Sequence, residues 1–173
     1  MDQTRRPLRL LQAISIALAA SVLVACKTTP LPPPTPSTQA VPPVPKQIQP
    51  RFIRPANGVT IARFDGNSRK GIDIAGNLGD PVVASADGRV VYVGDELANY
   101  GNLIIVDHGD NFLTAYAHNQ VSFVREKEVV RQGQQIASMG KTGTGAERVK
   151  LHFEIRKQGS AVDPEPYLSG KLR

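Results

Sequence analysis

Residues 149–156 read VKLHFEIR, so apolar and polar side chains alternate along the whole stretch. Successive side chains of a strand point to opposite faces, which places Leu151, Phe153 and Ile155 together. The other face carries the polar members, Lys150, His152, Glu154 and Arg156. The pattern predicts a strand with one face in a hydrophobic core and a histidine between charges on the other.

Short β-rich runs separated by turn residues recur on both sides of this strand. They predict four hairpins: residues 81–94 around Asp87-Gly88, residues 102–118 around 108–111, residues 128–138 around 132–134, and VKLHFEIR with the chain beyond Gly159-Ser160. A short helical turn is expected only after Asp163-Pro164. The fold class is therefore all-β, antiparallel and sandwich-like, built from hairpins.

The first 25 residues are typical of a secretory signal peptide. Arg5, Arg6 and Arg9 precede an apolar run that ends in small residues. The run is shorter than the roughly 20 apolar residues of a membrane-spanning helix. It ends in LVAC, which resembles the lipobox of bacterial lipoproteins, so Cys26 is the expected lipidation site. The alternative is an ordinary signal followed by an incidental thiol.

The residue after Cys26 is Lys27, whereas an aspartate there would imply retention at the inner membrane by resemblance to lipoprotein sorting. An outer-membrane lipid anchor facing the periplasm is therefore expected. Residues 26–50 form the lipidated, proline-rich linker, since residues 28–50 hold nine of the fourteen prolines. Residues 51–173 remain for one folded domain and contain every Phe and Tyr of the chain.

The charge of the chain is modestly positive. Removal of the signal lowers the net charge from +6 to about +4. A nucleic-acid partner would require a basic face and access to nucleic acid, and an exported lipoprotein lacks that access. The surplus fits attraction to an anionic envelope polymer or an acidic partner, or simply a solvated basic surface.

The three histidines are His108, His118 and His152. His108 lies in a turn and is most simply a solvated residue. Strand alternation places His118 on the same face as Thr114 and Tyr116. Their spacing alone gives no zinc signature, and single histidines of this kind are commonly packed or hydrogen-bonded residues.

An ordered set of motifs covers most of residues 58–168. It comprises GIDIAG from Gly71, PVVASADGRVVY, YGNLIIVDHGD, TAYAH, the loop GQQIASMGKTGTG, LHFEIR and VDPEPYL. In this order the motifs resemble the LytM-type, lysostaphin-like zinc metallopeptidase domain. The arrangement of lipobox, linker and terminal LytM domain is similar to NlpD-type envelope lipoproteins. NlpD-type proteins usually carry a separate LysM wall-binding module, for which this chain has no room.

The resemblance implies which positions would hold a catalytic zinc. Active members use a histidine four residues before the aspartate of G-x-D, that aspartate, and the second histidine of H-x-H. The first histidine of H-x-H and the histidine of Y-A-H assist the zinc-bound water. Asp73, His118 and His152 are retained at their positions, whereas Arg69 and Lys150 replace the two remaining histidines.

These replacements predict a degenerate domain without a cofactor and without catalytic residues. A catalytic zinc takes three protein ligands, and a guanidinium has no lone pair to donate. Lys150 would add a cation close to the metal. We hypothesise that Arg69 or Lys150 lies beside Asp73 and supplies the positive charge of the zinc. The alternative is that both cations point to solvent.

Three functions follow from the resemblance. The first is a non-catalytic activator of the periplasmic N-acetylmuramyl-L-alanine amidases that cut peptidoglycan at the division septum. The others are a divergent zinc peptidoglycan endopeptidase and a passive wall-binding lipoprotein. For the activator, the expected partner-binding groove is lined by Arg69, Tyr116, His118, Lys150 and His152. Amidase is the expected partner, with peptidoglycan as a further one, the membrane reached through the lipid and no nucleic acid.

Overall fold

The computed structural model describes residues 51–172. The predicted signal peptide over 1–25, the linker over 26–50 and Cys26 lie outside the described residues. No helix within residues 51–172 is long and apolar enough to cross a membrane. The elements of this range are β1 (Thr60–Ala62), β2 (Ile72–Ala75), β3 (Pro81–Val83), β4 (Gly88–Gly94), β5 (Leu103–Asp107), β6 (Phe112–Ala117), β7 (Asn119–Ser122), β8 (Val129–Val130), β9 (Gln135–Met139), β10 (Lys150–Lys157), β11 (Ser160–Val162) and α1 (Pro164–Leu168).

Strand β10 lies inside the larger sheet and pairs with three other strands. The order of that sheet is β1-β2-β10-β6-β5-β4-β8, and β11 pairs with the end of β10 that β2 leaves free. All of its pairings are antiparallel. Leu151, Phe153 and Ile155 are fully buried, as the alternation of VKLHFEIR predicts. Each such side chain contributes about 1.5–3 kcal/mol of hydrophobic stabilisation.

The second sheet has the strand order β3-β9-β7. Its buried Val82, Ile136 and Met139 belong to the same hydrophobic cluster as Ile74 and Phe153 of the larger sheet. The core therefore lies between two antiparallel sheets, which confirms the sandwich-like, all-β prediction. The helical turn after Asp163 is also confirmed as α1, whose first turn is capped by the Asp163 carboxylate accepting the Glu165 N–H at 3.1 Å.

Two of the four predicted hairpins are correct, namely β5–β6 and β10–β11. The other two are wrong. Strand β3 pairs with β9 in the small sheet, whereas β4 pairs with β5 and β8 in the large one. Likewise β8 and β9 belong to different sheets. The segments around 87–88 and 132–134 instead carry the chain from one sheet to the other.

Candidate functional site

The face of the large sheet opposite the core carries an ion pair and its neighbours. Asp73 on β2 lies directly opposite His152 on β10 in the strand register. One carboxylate oxygen of Asp73, Oδ1, accepts a hydrogen bond from Nδ1 of His152 at 2.7 Å. The other, Oδ2, accepts one from Nζ of Lys150 at 2.7 Å. Asp73 is only 8% exposed, so its charge depends on these two partners.

The row of charges continues along β10. Nε2 of His152 lies 3.3 Å from Oε1 of Glu154, and the Tyr100 hydroxyl donates to the same oxygen at 2.9 Å. Nε of Arg156 lies 3.4 Å from the other oxygen of Glu154, within ion-pair distance but without hydrogen-bond geometry. Positive and negative groups thus alternate along what we call the charge row, which consists of Lys150, Asp73, His152, Glu154 and Arg156.

These contacts fix the protonation of the row. Burial alone would raise the pKa of Asp73, but the hydrogen bonds from His152 and Lys150 outweigh it and lower the pKa to about 2. Burial would lower the pKa of His152, but the carboxylates of Asp73 and Glu154 raise it to about 8. Burial likewise opposes ionisation of Glu154, yet its partners hold the pKa of that carboxyl below its ordinary value. At neutral pH Asp73 and Glu154 are therefore carboxylates, and His152 is mainly an imidazolium.

His118 follows the end of β6, and its unusual backbone conformation directs its side chain to the same site. Its φ is 65°, in the left-handed region that non-glycine residues adopt rarely. Nδ1 of His118 donates to the carbonyl oxygen of Thr142 at 2.8 Å, and its ring lies 6.1 Å from that of His152. Burial lowers the pKa of His118, so the ring is neutral at neutral pH and its Nε2 is a hydrogen-bond acceptor.

One wall of the site consists of two interlocked loops, residues 95–102 and 140–149. The Thr144 N–H donates to the Ala98 carbonyl at 2.8 Å, and the Thr144 hydroxyl donates to the Asn99 side-chain oxygen at 3.0 Å. A Cβ atom on Gly145 would lie 2.4 Å from the carbonyl oxygen of Asn99. The close backbone approach therefore requires glycine at this position.

The facing wall is the loop that carries Arg69. The Asp65 carboxylate accepts the N–H groups of Asn67 and Arg69 at 2.9 Å and the Ser68 hydroxyl at 2.9 Å. The two backbone N–H bonds have the largest effect, and together with the Ser68 hydroxyl they lower the pKa of Asp65 to about 2. The loop is thus fixed by its own side chain, while the Arg69 guanidinium is exposed and makes no hydrogen bond or ion pair within the described residues.

The structure brings four of the five predicted groove residues into one cleft: Arg69, His118, Lys150 and His152. The inclusion of Tyr116 is wrong. Its side chain is fully buried between the sheets, where the hydroxyl accepts the Ser85 N–H at 2.8 Å and the Thr114 hydroxyl at 3.0 Å. Burial raises the pKa of Tyr116 to about 12. Strand alternation holds Thr114 and Tyr116 on the core side, and only the left-handed backbone at His118 returns that residue to the cleft.

Sequence reasoning missed two contributors, Tyr100 and Glu154. Glu154 could have been predicted from the sequence, since it lies two residues after His152 and therefore on the same face of the strand. Tyr100 could not have been predicted, because its contact with Glu154 joins a loop to a strand 54 residues further along the chain. Of the two cations proposed to accompany Asp73, the structure places Lys150 there and leaves Arg69 in solvent.

A catalytic zinc, which the resemblance implies for active members, does not fit these residues. Arg69 offers no lone pair, both oxygens of Asp73 already accept hydrogen bonds, and both ring nitrogens of His152 face carboxylates. Within residues 51–172 no group of three His, Cys, Asp or Glu side chains is arranged to hold a metal ion. The side chains of Asp73 and His152 are instead held by hydrogen bonds and ion pairs within the charge row.

Comparison with known proteins agrees with this fold. The model of Peptidase family M23 covers residues 67–164, more than half of the chain. The Lipoprotein NlpD/LppB homolog of Pseudomonas aeruginosa is 50% identical over 135 residues, which are 77% of this chain and 45% of the relative. The Murein hydrolase activator NlpD of Escherichia coli K12 is 53% identical over 116 residues, which are 66% of this chain and 30% of the relative.

The chain therefore spans less than half the length of these curated relatives. Among solved structures, a crystal structure of a putative peptidase M23 from Pseudomonas aeruginosa has a TM-score of 0.64 at 26% identity, over 73% of this chain and 53% of that one. The fold and the span of the family match agree. This chain belongs to peptidase family M23.

Proposed function

We propose that this chain is a non-catalytic activator of N-acetylmuramyl-L-alanine amidases, acting in septal wall splitting and daughter-cell separation. The observation that carries the proposal is the contact between Lys150 and Asp73. It neutralises the carboxylate with a side chain, so the cleft keeps its shape without a metal. A cleft of this kind is suited to binding a partner rather than cutting a substrate. The Escherichia coli relative, named a murein hydrolase activator, supports the same role.

An activator without chemistry acts by selective binding. It binds the open form of an amidase more tightly than the closed form and so shifts the population toward the open form. A shift from mostly closed to mostly open takes roughly 5 kcal/mol of differential affinity. A few buried contacts at the centre of an interface supply free energies of that size.

The proposal also assigns the domain boundaries of the chain and its place in the cell envelope. Residues 1–25 are the signal peptide, Cys26 bears the lipid, residues 26–50 are the linker and residues 51–173 are the amidase-binding domain. The lipid anchors the chain in the outer membrane, facing the periplasm, and the linker extends by about 3 Å per residue. Mass spectrometry of the mature protein should find diacylglycerol on Cys26. An unmodified Cys26 still preceded by signal residues contradicts this part of the proposal.

The test of function uses the mature full-length chain with dye-labelled sacculi and purified amidases of its own organism. We expect dye release only when chain and amidase are combined, at a rate above that of the amidase alone. Release by the chain alone, abolished in Asp73→Ala, would instead identify a divergent zinc endopeptidase. Binding to sacculi without any effect on the amidases would identify a passive wall-binding protein.

A further inference from the structure

Two clefts meet at the ion pair of Lys150 and Asp73. Both residues line each cleft, so the pair forms the partition between them. We call the cleft of about 260 Å³ beside Arg69 and His118 the inner cleft. The cleft of about 430 Å³ beside Ile61 is called the outer cleft. A ligand that fills both must cross the ion pair.

The inner cleft is lined by more cations than anions. Its two acids, Asp73 and Glu154, are already paired within the charge row. The guanidinium of Arg69 has no partner within the described residues, and the ammonium of Lys70 donates only to the Gly66 carbonyl, which leaves its charge unneutralised. The group that complements this cleft is a carboxylate.

The outer cleft is different in chemistry. Ile61 of the edge strand β1 is 41% exposed and lines it, together with Ala62 and the backbone of Gly145. The charged residues at its margin, Glu147 and Arg148, are both exposed and of opposite sign. An apolar side chain that covers Ile61 removes apolar surface from water, which favours binding by about 25 cal/mol per Å².

The walls around both clefts are preformed. Gly145 lines each of them and is held against Asn99 by the close backbone approach, while Asp65 fixes the loop of Arg69. A preformed cleft loses little conformational entropy on binding. The two clefts are contiguous, so one segment of a partner reaches both.

On the basis of the proposed function, we propose that one segment of the amidase lies across the Lys150–Asp73 pair. A carboxylate of that segment contacts Arg69 and Lys70 in the inner cleft, and an apolar side chain packs on Ile61 in the outer cleft. The segment is therefore acidic at one end and apolar at the other. The ion pair beneath it stays formed and serves as the floor.

Two variants separate these contacts in the mature full-length chain. Arg69→Gln removes the charge in the inner cleft, and Ile61→Ser removes the apolar surface in the outer one. Matched controls are Arg125→Gln and Val129→Ser, at exposed positions on and before β8, the edge of the large sheet opposite β1. The readouts are the Kd for each purified amidase at low and high ionic strength, and the stimulation of dye release from sacculi.

We expect Arg69→Gln to raise the Kd roughly fivefold at low ionic strength and to weaken its salt dependence, since Lys70 remains. Ile61→Ser should raise the Kd roughly fivefold at both ionic strengths, since apolar contacts are not screened. Both controls should match the wild type.

The outcomes that overturn the inference differ from those that overturn the proposed function. If the wild type stimulates an amidase but Arg69→Gln and Ile61→Ser bind it as tightly as the controls do, the inference is wrong and the proposed function stands. If the wild type neither binds nor stimulates any amidase, both are wrong. If the two variants lose affinity for sacculi alone and not for amidase, the occupant of the clefts is wall peptide and the inference is also overturned.

Discussion

The ammonium group of Lys150 reaches Asp73 diagonally across the β2–β10 pair, with Nζ 2.7 Å from Oδ2, although Lys150 itself is in register with Ala75. The two side chains are 14% and 12% exposed. An ion pair this buried is costly to break from one side, because the remaining charge is left without a partner. Its consequences for stability, protonation and metal binding are all measurable.

Removal of the carboxylate should destabilise the domain more than removal of the lysine charge. Asp73→Asn leaves Lys150 without a counter-ion and leaves His152 with Glu154 as its remaining acidic partner, and we expect a loss of about 2–4 kcal/mol in the free energy of unfolding. Lys150→Met keeps the stem of the side chain and leaves Asp73 paired with His152, so its loss should be smaller. Urea denaturation of both variants followed by circular dichroism measures the difference. Equal stability of Asp73→Asn and wild type would contradict the role of the pair.

Stability should fall on the alkaline side of neutrality because of His152. Its pKa is raised from 6.5 to about 8 in the folded state, so its stabilisation is complete below pH 6.5 and is lost as the pH rises through 8. The shift corresponds to up to about 2 kcal/mol. Unfolding free energies between pH 6 and 9 should show this decrease in the wild type and not in His152→Gln. An unfolding free energy of the wild type that does not change between pH 6 and 9 would rule out this contribution of His152.

His108 and His118 should affect the pH dependence of stability in the opposite direction to His152. Burial, as the largest cause, lowers the pKa of His108 and of His118, so the folded state resists their protonation. Their effect appears as a loss of stability when the pH falls below the ordinary histidine value of 6.5. The alkaline decrease in the wild type therefore belongs to His152 and should survive in His108→Gln and His118→Gln.

The alternation in VKLHFEIR was enough to predict strand β10, its buried face and the position of His152. Alternation along β6 was not enough to place His118, because the left-handed backbone there turns His118 to the face opposite Thr114 and Tyr116, which stay on the core side. Local pattern also failed for β3 and β4, because Asp87-Gly88 is typical of a two-residue hairpin turn but here connects strands of two different sheets. The contact of Tyr100 with Glu154 depends on the tertiary fold, so no local signal encodes it.

The wild-type chain should bind no stoichiometric zinc, and Lys150→His alone should not change this. Arg69 still denies a third ligand in that variant. Arg69→His combined with Lys150→His supplies the missing ligand and removes the competing ammonium from Asp73, so the double variant should take up close to one zinc. Elemental analysis after dialysis against trace zinc gives the ratio. One equivalent of zinc on the wild type would contradict the expectation.

Adding a methyl group at Gly145 should disturb the cleft wall formed by residues 95–102 and 140–149. The added Cβ would lie 2.4 Å from the Asn99 carbonyl oxygen and 3.3 Å from Cε1 of His118, so backbone must shift. We expect Gly145→Ala to lower amidase stimulation severalfold with little change in the midpoint of thermal unfolding, because the wall lies outside the core. Dye release and circular dichroism measure the two effects. Normal stimulation would mean that the partner does not depend on this wall.

Charge reversal at Lys150 and at Arg69 should have different effects, although both cations line the same cleft. Lys150→Glu places a carboxylate against Asp73, so we expect reduced stability together with reduced amidase stimulation. Arg69→Glu changes an exposed side chain without a partner in the described residues, so stimulation should fall severalfold while the free energy of unfolding stays within about 0.5 kcal/mol of the wild type. Urea denaturation and dye release on the same preparations separate the two effects. Full stimulation by a folded Arg69→Glu, Lys150→Glu double variant would place the partner surface elsewhere on the domain.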